Sequence, residues 1–447
     1  SGIQQLSTLD DNILEKGFLA RTRDKEKHVP RFRASITTSF EDVTQEILHG
    51  LTDNMDPVAR YDSVTYRIKR IIAREEKGHE KVLIRSFYNG KSYYLIRRLE
   101  FNDVRLVYTP PRAIGEFGGN VDNWMWPRHT GDFSIFRIYA DSLNNPAKYS
   151  DENIPYQPTY YFPLSAKGLK PGDFTMILGY PGITQRYLTA REAAFTLNVE
   201  YPDAIRHFEF LVSLMDSLGA ENPDKALKFA SRIKGLNNYK KKYQGMLDGL
   251  KSRDVVGEKR ALEEKLSHRD ENRDILHQLE DLQKEYEISY HAREQFYNLQ
   301  RDPRLVAVAS DIVRWNNEKK KPDLEREQGF QQRDYDKQQR SMAYYLSSYD
   351  ETLDKILLHQ HLTQILKSPP SERIPFIDSL FSTTGGESVS QAVGTFVENL
   401  YSETRLTDPE FRQDILDITP EEFSKIQDPL ILCAFAGKTS PGIQERR

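Results

Sequence analysis

The strongest constraint on this chain is a change of texture near residue 184. From about 61 to 180 the sequence consists of short β-type runs separated by turn residues. Beyond it come long charged segments with apolar residues every three or four positions. A chain that changes period once is expected to fold as α+β, with its strands and helices segregated. In the first half, runs over 82–88 and 93–96 flank Asn89-Gly90, the strongest short hairpin signal. A run over 104–108 stops at Pro110-Pro111. Further strands are predicted over 133–139 and 174–178, the last between Pro171-Gly172-Asp173 and Gly179-Tyr180-Pro181-Gly182. Short strands with tight turns suggest an antiparallel barrel or sandwich. A helical insert is predicted ahead of them, over 40–49 and 58–74, because these stretches lack Gly and Pro and carry helical spacing.

In the second half, Leu262 and Leu266, then Leu276, Leu279, Leu282 and Tyr286, mark helices. Breaks are expected at Lys367-Ser368-Pro369-Pro370 and at Thr383-Thr384-Gly385-Gly386. The dense Glu and Lys of 258–294 read as solvated helix faces with weak ion pairs. No repeat of fixed period occurs. The expected domains are 1–184 and 185–447.

Composition narrows the function classes. With 447 residues, 38% apolar and 29% charged, the chain is neither disordered nor collagen-like, and no window is apolar for the roughly 18 residues of a membrane span. Sixty-three Lys and Arg against 67 Asp and Glu give a net charge of −4, so no overall field draws nucleic acid or an anionic membrane. A partner must be recognised by a local site. The single cysteine, Cys433, excludes an intrachain disulfide and a cysteine metal cage, and leaves the redox compartment open. The chain opens Ser1-Gly2-Ile3-Gln4 without Met, and is expected to be a processed product or a fragment.

The segment richest in chemistry runs from Gly118 to Asp132. It holds two of the three Trp, Asp122 and Asp132, and His129 in one turn-rich loop. One reading makes it a site in which Asp132 orients a base while Asn123 and Trp124 hold a ligand. The other makes it a loop plugged by two indoles, with Asp132 capping backbone amides. His129 is read as a polar loop residue, since three-residue spacing in an extended segment rarely sets an imidazole on a carboxylate. His359 and His361 point apart on a helix, so a shared metal is rejected. Ser388 lacks the G-x-S-x-G turn of a nucleophile, and phosphate-binding glycine patterns are absent. No metal or cofactor is expected.

The stretch Gly-Gly-Asn-x-Asp-Asn-Trp-x-Trp-Pro-Arg-His-Thr-Gly-Asp-Phe-Ser, from Gly118 to Ser134, resembles the signature of the bacterial dipeptidyl-peptidase 7 and 11 family of serine exopeptidases. Three further stretches agree with that family: Gly2 to Ser7, Gly179-Tyr180-Pro181-Gly182 with Thr184-Gln185-Arg186-Tyr187, and Asn238 to Leu247. The resemblance spans essentially the whole chain. It implies a chymotrypsin-like double β-barrel, here its first barrel, followed by a large inserted α-helical domain that is incomplete at its C-terminal end. It also implies a Ser-His-Asp triad that removes dipeptides from free peptide N-termini. In this resemblance Asp132 matches the triad aspartate, Asn123 and Trp124 match residues lining the substrate site, and Asn238 matches the asparagine that anchors the substrate's α-amino group. Peptides with a free N-terminus are the implied partners, homodimerisation and a periplasmic or secreted location are implied for the full-length protein, and no cofactor is.

The family's Asn-His-His-Cys-Gly and Gly-Asn-Ser-Gly-Ser-Pro stretches, which supply the histidine and the nucleophile, do not occur in these residues. The 447-residue polypeptide is therefore expected to be inactive alone and its full-length parent active. The alternative is a catalytically inactive relative that serves as a peptide-binding or interaction module. A third reading is a helical scaffold joined to an unrelated β domain. Preference for an acidic or apolar residue at the cleaved bond depends in the family on the second barrel.

Overall fold

A computed structural model describes residues 3–439 apart from 9, 31, 53, 120, 178, 180–186, 371–372 and 382–387. The chain divides into two compact units, Ser1–Leu188 and Thr189–Arg447. The first holds an antiparallel β layer and the second a large helical region, an α+β arrangement.

Among the described residues the first unit contains eight strands: β1 (Phe18–Leu19), β2 (Lys27–His28), β3 (Ala34–Asp42), β4 (Glu80–Phe87), β5 (Ser92–Phe101), β6 (Asp103–Thr109), β7 (Ile135–Ala140) and β8 (Ile154–Pro155). One sheet runs β1-β6-β7-β8, with β2 also paired to β6, and the other runs β3-β5-β4. The Asn89-Gly90 hairpin forms as expected from its sequence. Tyr88, Asn89 and Gly90 all take positive φ, and the register closes at Phe87↔Ser92 around a four-residue connection, 88–91. Val82, Ile84, Tyr93 and Leu95 on one face of this hairpin meet Val43, Ile47, Val64 and Ile71 from the helices Thr44–Leu48 and Pro57–Glu75. The helical insert is therefore present, its first helix shorter than the predicted 40–49 and its second matching the predicted 58–74. Phe40, Glu41 and Asp42 belong to β3, because pairing along β5 satisfies backbone groups that a helix there would have to satisfy internally.

The predicted strand over 174–178 is corrected. Residues 174–177 are irregular, and Leu178 lies outside the described residues, as do Tyr180, Pro181, Gly182, Thr184, Gln185 and Arg186. Phe174, Met176 and Ile177 are exposed, and among the described residues no neighbouring strand offers them a hydrogen-bond ladder. β propensity without a partner strand does not make a sheet.

The second unit begins at a capping box, where Thr189 accepts from the Glu192 amide and Glu192 accepts from the Thr189 amide. Its longer helices include Tyr201–Ala220, Pro223–Ser252, Asp270–Arg301, Arg304–Glu318 and Glu351–Lys367, the last ending where Pro369-Pro370 is expected to break it. The Thr383 to Gly386 break lies outside the described residues. Trp315, fully buried, centres the main core and donates to the Leu416 carbonyl at 3.2 Å. The helices through Leu262 and through Leu279 and Leu282 form as their spacing requires, yet these leucines are exposed rather than core-facing. On the same helix Lys284 pairs with Glu280 and Asp281, as expected of a solvated face.

A buried acid ties this unit together. Asp302, 1% exposed, sits between the helices Asp270–Arg301 and Arg304–Glu318. Its Oδ2 lies 2.8 Å from His207 Nε2 and 3.2 Å from His361 Nε2, and its Oδ1 lies 3.7 Å from both Arg232 and Arg301. Burial alone would raise its pKa; the His207 and His361 rings beside it outweigh that and hold the carboxyl well below the ordinary carboxylate range. Asp354, also buried, accepts from the amides of Arg304 and Leu305 and from the Tyr401 hydroxyl, capping the next helix with a negative charge.

Removing one partner of such a buried cluster strands the others. Asp302→Ala is expected to destabilise the helical unit by about 3–5 kcal/mol in urea unfolding. Because the folded pKa of Asp302 lies below the ordinary 3.8, its contribution is fully present above that pH and is lost as pH falls below it. The stability gap between the native chain and Asp302→Asn should therefore narrow as pH falls from about 4. A gap constant from pH 7 to pH 3 would show the carboxylate charge to be irrelevant.

Candidate active-site loop

The loop that carries Asn123, Trp124 and Asp132 is slung between β6 and β7. These strands pair antiparallel from Asp103↔Tyr139 to Tyr108↔Ile135, with an irregularity between Leu106 and Tyr108. Pro110 and Pro111 end β6, and the short helix Arg112–Gly115 turns the chain outward. The return is fastened to that helix. The Gly131 amide donates to the Ile114 carbonyl at 2.9 Å, and the Thr130 hydroxyl donates to the Gly115 carbonyl at 2.8 Å. A Cβ on Gly131 would come 2.8 Å from Ile114 Cγ2, so glycine permits this approach. Ser134 then donates to the Thr109 hydroxyl at 3.3 Å, and Phe133 packs against Tyr108 at 5.5 Å between ring centroids.

Asp132 follows this clamp directly and precedes β7, which begins at Ile135 rather than at Phe133. Its side chain is exposed, and among the described residues no arginine, lysine or backbone amide engages the carboxylate. His129 is exposed too, and no hydrogen bond joins it to Asp132. Asn123 Oδ1 accepts from Arg128 Nη1 at 2.9 Å, which fixes the orientation of its amide. Trp124 stands at φ 62°, in the left-handed region that a bulky residue rarely takes, and is 67% exposed. Strain of this kind costs on the order of 1–3 kcal/mol and gathers at ligand-holding loops. Trp126 is exposed as well, so the two indoles do not plug the loop, and Asp132 does not cap its amides. Asn120 lies outside the described residues.

Asn238 is half-buried on the Pro223–Ser252 helix of the second unit. The histidines of the H-x-H pair have separate partners: His361 faces Asp302, and His359 Nε2 lies 3.0 Å from the Ser390 carbonyl. Ser388 is a helix cap, accepting from the Gln391 amide. Burial pushes the Cys433 thiol up to about 11. Among the described residues no group of three or more His, Cys, Asp or Glu could hold a metal ion, and no helix is long and apolar enough to cross a membrane.

The sequence did not reveal a second acid–imidazole pair in the first unit. Asp103, fully buried, takes a bidentate contact from Arg105 at 2.8 and 2.9 Å and an amide from Asn153, and lies 3.4 Å from His28 Nδ1. Burial would raise its pKa, but Arg105 and Asn153 hold it low, while burial lowers that of His28. Arg105 already neutralises this carboxylate, so the pair is structural, binding β2 to β6. A surface cleft of about 540 Å³ in the same unit is lined by residues including Glu46, His49, Arg67 and Arg70, none of which belongs to the loop. Arg67 there is spent on the carbonyls of Ile47 and His49.

An antiparallel β unit with a clamped loop, joined to a helical region, defines an α+β protein. The chain belongs to the peptidase S46 family, whose model matches residues 1–446. It is 34% identical over 441 residues to the Asp/Glu-specific dipeptidyl-peptidase of Shewanella putrefaciens, covering 97% of this chain and 59% of that protein. It is 37% identical over 266 residues to dipeptidyl-peptidase 7 of Porphyromonas gingivalis, 58% of this chain and 37% of that one. Its fold matches Porphyromonas endodontalis DPP11 in complex with the dipeptide Arg-Glu, with a TM-score of 0.72 and 24% identity over 99% of this chain and 64% of that structure. The chain thus spans about three-fifths of the length of relatives that it matches from end to end.

Gly17 supports the loop from behind. At φ 74° a Cβ there would lie 2.7 Å from Pro111 N and 2.8 Å from the Thr109 carbonyl oxygen, where β6 gives way to the loop. Gly17→Ala should destabilise the first unit by at least about 1 kcal/mol and raise amide exchange at Gly131. Unchanged exchange at that amide would show that the loop is held independently of this contact.

Proposed function

We propose that the chain supplies the base-orienting and substrate-anchoring parts of a serine-type dipeptidyl aminopeptidase, which releases dipeptides from the free N-termini of peptides. The observation that carries this reading is the exposed Asp132 carboxylate, without a cation or amide partner among the described residues and held at the foot of β7 by a backbone clamp. Membership of the S46 family, and relatives named as dipeptidyl-peptidases, support the reaction class.

In this reading Asp132 accepts the Nδ1 proton of a histidine, fixing its tautomer and stabilising the imidazolium formed when a serine loses its proton. Asn123 and Trp124 line the substrate site beside it. Arg128 donates to the Asn123 amide oxygen and so fixes the orientation of that side chain. The amide oxygen of Asn238 accepts from the substrate's α-ammonium group, limiting the length held beyond the cleaved bond to two residues. The histidine and serine of the triad lie outside these 447 residues in this reading, within the first and second barrels of a chymotrypsin-like pair. Acyl-enzyme chemistry of this kind calls for no cofactor. A periplasmic or secreted location and a homodimer belong to the same proposal.

Two outcomes test it. Asp132→Asn in the full-length enzyme should lower kcat on the order of 10⁴-fold with KM little changed, because the tautomer is no longer held; retention of kcat within tenfold overturns the role. The purified 447-residue polypeptide should release no dipeptide from a chromogenic dipeptidyl substrate, and turnover by it would show that the nucleophile lies within these residues.

A further inference from the structure

The helix Pro223–Ser252, which carries Asn238, has 30 residues, yet Phe229 is its one fully buried apolar side chain among the described residues. Phe229 packs with Leu211 and Met215 from one neighbouring helix and with Leu353 and Leu357 from another. One turn further on, Arg232 enters the same interior. Its Nη2 donates to the Asp302 carbonyl at 3.2 Å and lies 3.7 Å from Oδ1 of that residue, while its buried Nη1 has no partner among the described residues. Arg232 and Phe229 differ by three positions and share a face of the helix, whereas Asn238, nine positions beyond Phe229, is turned roughly 180° from it. The two anchors therefore set both the rotation and the height of the half-buried Asn238, on the helix face opposite Phe229.

We infer that Arg232, clamped by Asp302, is a positioning residue for Asn238 and so a determinant of how tightly the enzyme holds the α-ammonium end of its substrate. This rests on the reading of Asn238 given above. The clamp is specific to guanidinium geometry. His207 and His361 occupy the other carboxylate oxygen of Asp302, Arg301 lies 3.7 Å from the same oxygen as Arg232, and Arg304 adds a further positive charge to the cluster. A shorter cation at position 232 keeps the charge but cannot reach the carbonyl and the carboxylate together. Beyond the clamp the helix is steadied by ring stacking, Tyr243 on Tyr201 at 4.8 Å and on Phe208 at 6.0 Å. These contacts hold the helix against its neighbour, but a flat ring stack tolerates sliding in a way that a directed guanidinium contact does not.

The test is a double-mutant cycle in the full-length enzyme, with kcat and KM measured on a dipeptidyl substrate. Arg232→Lys should raise KM about tenfold with kcat within about twofold, the pattern of lost binding common to ground and transition states. In an Asn238→Ala background the same substitution should change KM less than about twofold, since there is no longer an amide to position. Additive effects overturn the inference, because they would mean that Arg232 acts by another route. If Asn238→Ala alone leaves KM unchanged, the reading of Asn238 fails instead. Hydrogen exchange gives a readout independent of activity: amides of residues 233–243 should exchange faster in Arg232→Lys while the Glu351–Lys367 helix stays protected. Equal loss of protection in both would point to general unfolding and contradict a positioning role.

Discussion

The antiparallel pairing of β6 with β7, closed at its open end by the Gly131 amide on the Ile114 carbonyl, is the constraint on which the candidate site depends. A carboxylate on a free loop would find a cation or an amide donor, and its charge would be quenched or its direction lost. Here the backbone satisfies its own polar groups on both sides of Asp132, and among the described residues the side chain has no partner. Ser134 and Thr130 fasten the flanking residues by their hydroxyls, so the loop is tight without Asp132 taking part. The contrast with Asp103, four contacts deep in the same unit, is instructive. That carboxylate is neutralised by Arg105 and steadied by Asn153, and can offer nothing to a reaction.

The helical unit follows a different logic. Its apolar core around Trp315 gives bulk stability, while a single acid fixes which helices meet and in what rotation. Asp302 gathers side chains from four other helical positions, 207, 232, 301 and 361, around one carboxylate. Replacing such a cluster by well-packed apolar residues conserves stability but leaves rotation to shape complementarity alone. In the proposed reading, where a helix of this unit presents the Asn238 amide to a ligand, rotation is the property that matters.

How much of this was legible in the sequence depends on the range of the interactions. The 80–101 hairpin was readable because Asn89-Gly90 and the flanking alternation are local, and the split between β and helical texture was readable because it is compositional. The third strand of that sheet was hidden, since Phe40 to Asp42 sit in a run with helical spacing and become a strand only through pairing with residues more than fifty positions away. The segment at 174–177 failed in the opposite direction, with strong local β character and no partner among the described residues. Leu262, Leu279 and Leu282 show that helical spacing announces a helix but not which way its apolar stripe will face. At the site, Asp132, Asn123 and Trp124 were visible as an improbable concentration of costly residues in one loop. The Asp302 cluster was invisible, because its members are scattered across 155 positions, from 207 to 361, and none carries a motif.

The central claim is that Asp132 exists to receive an imidazole. An experimental structure of the full-length protein measures this directly, through the distance from the Asp132 carboxylate to the nearest histidine Nδ1. The account requires hydrogen-bond reach, about 2.6–3.2 Å, with that ring's Nε2 turned toward a serine hydroxyl. A carboxylate paired instead with an arginine, or separated from every histidine by more than a water's width, would contradict it.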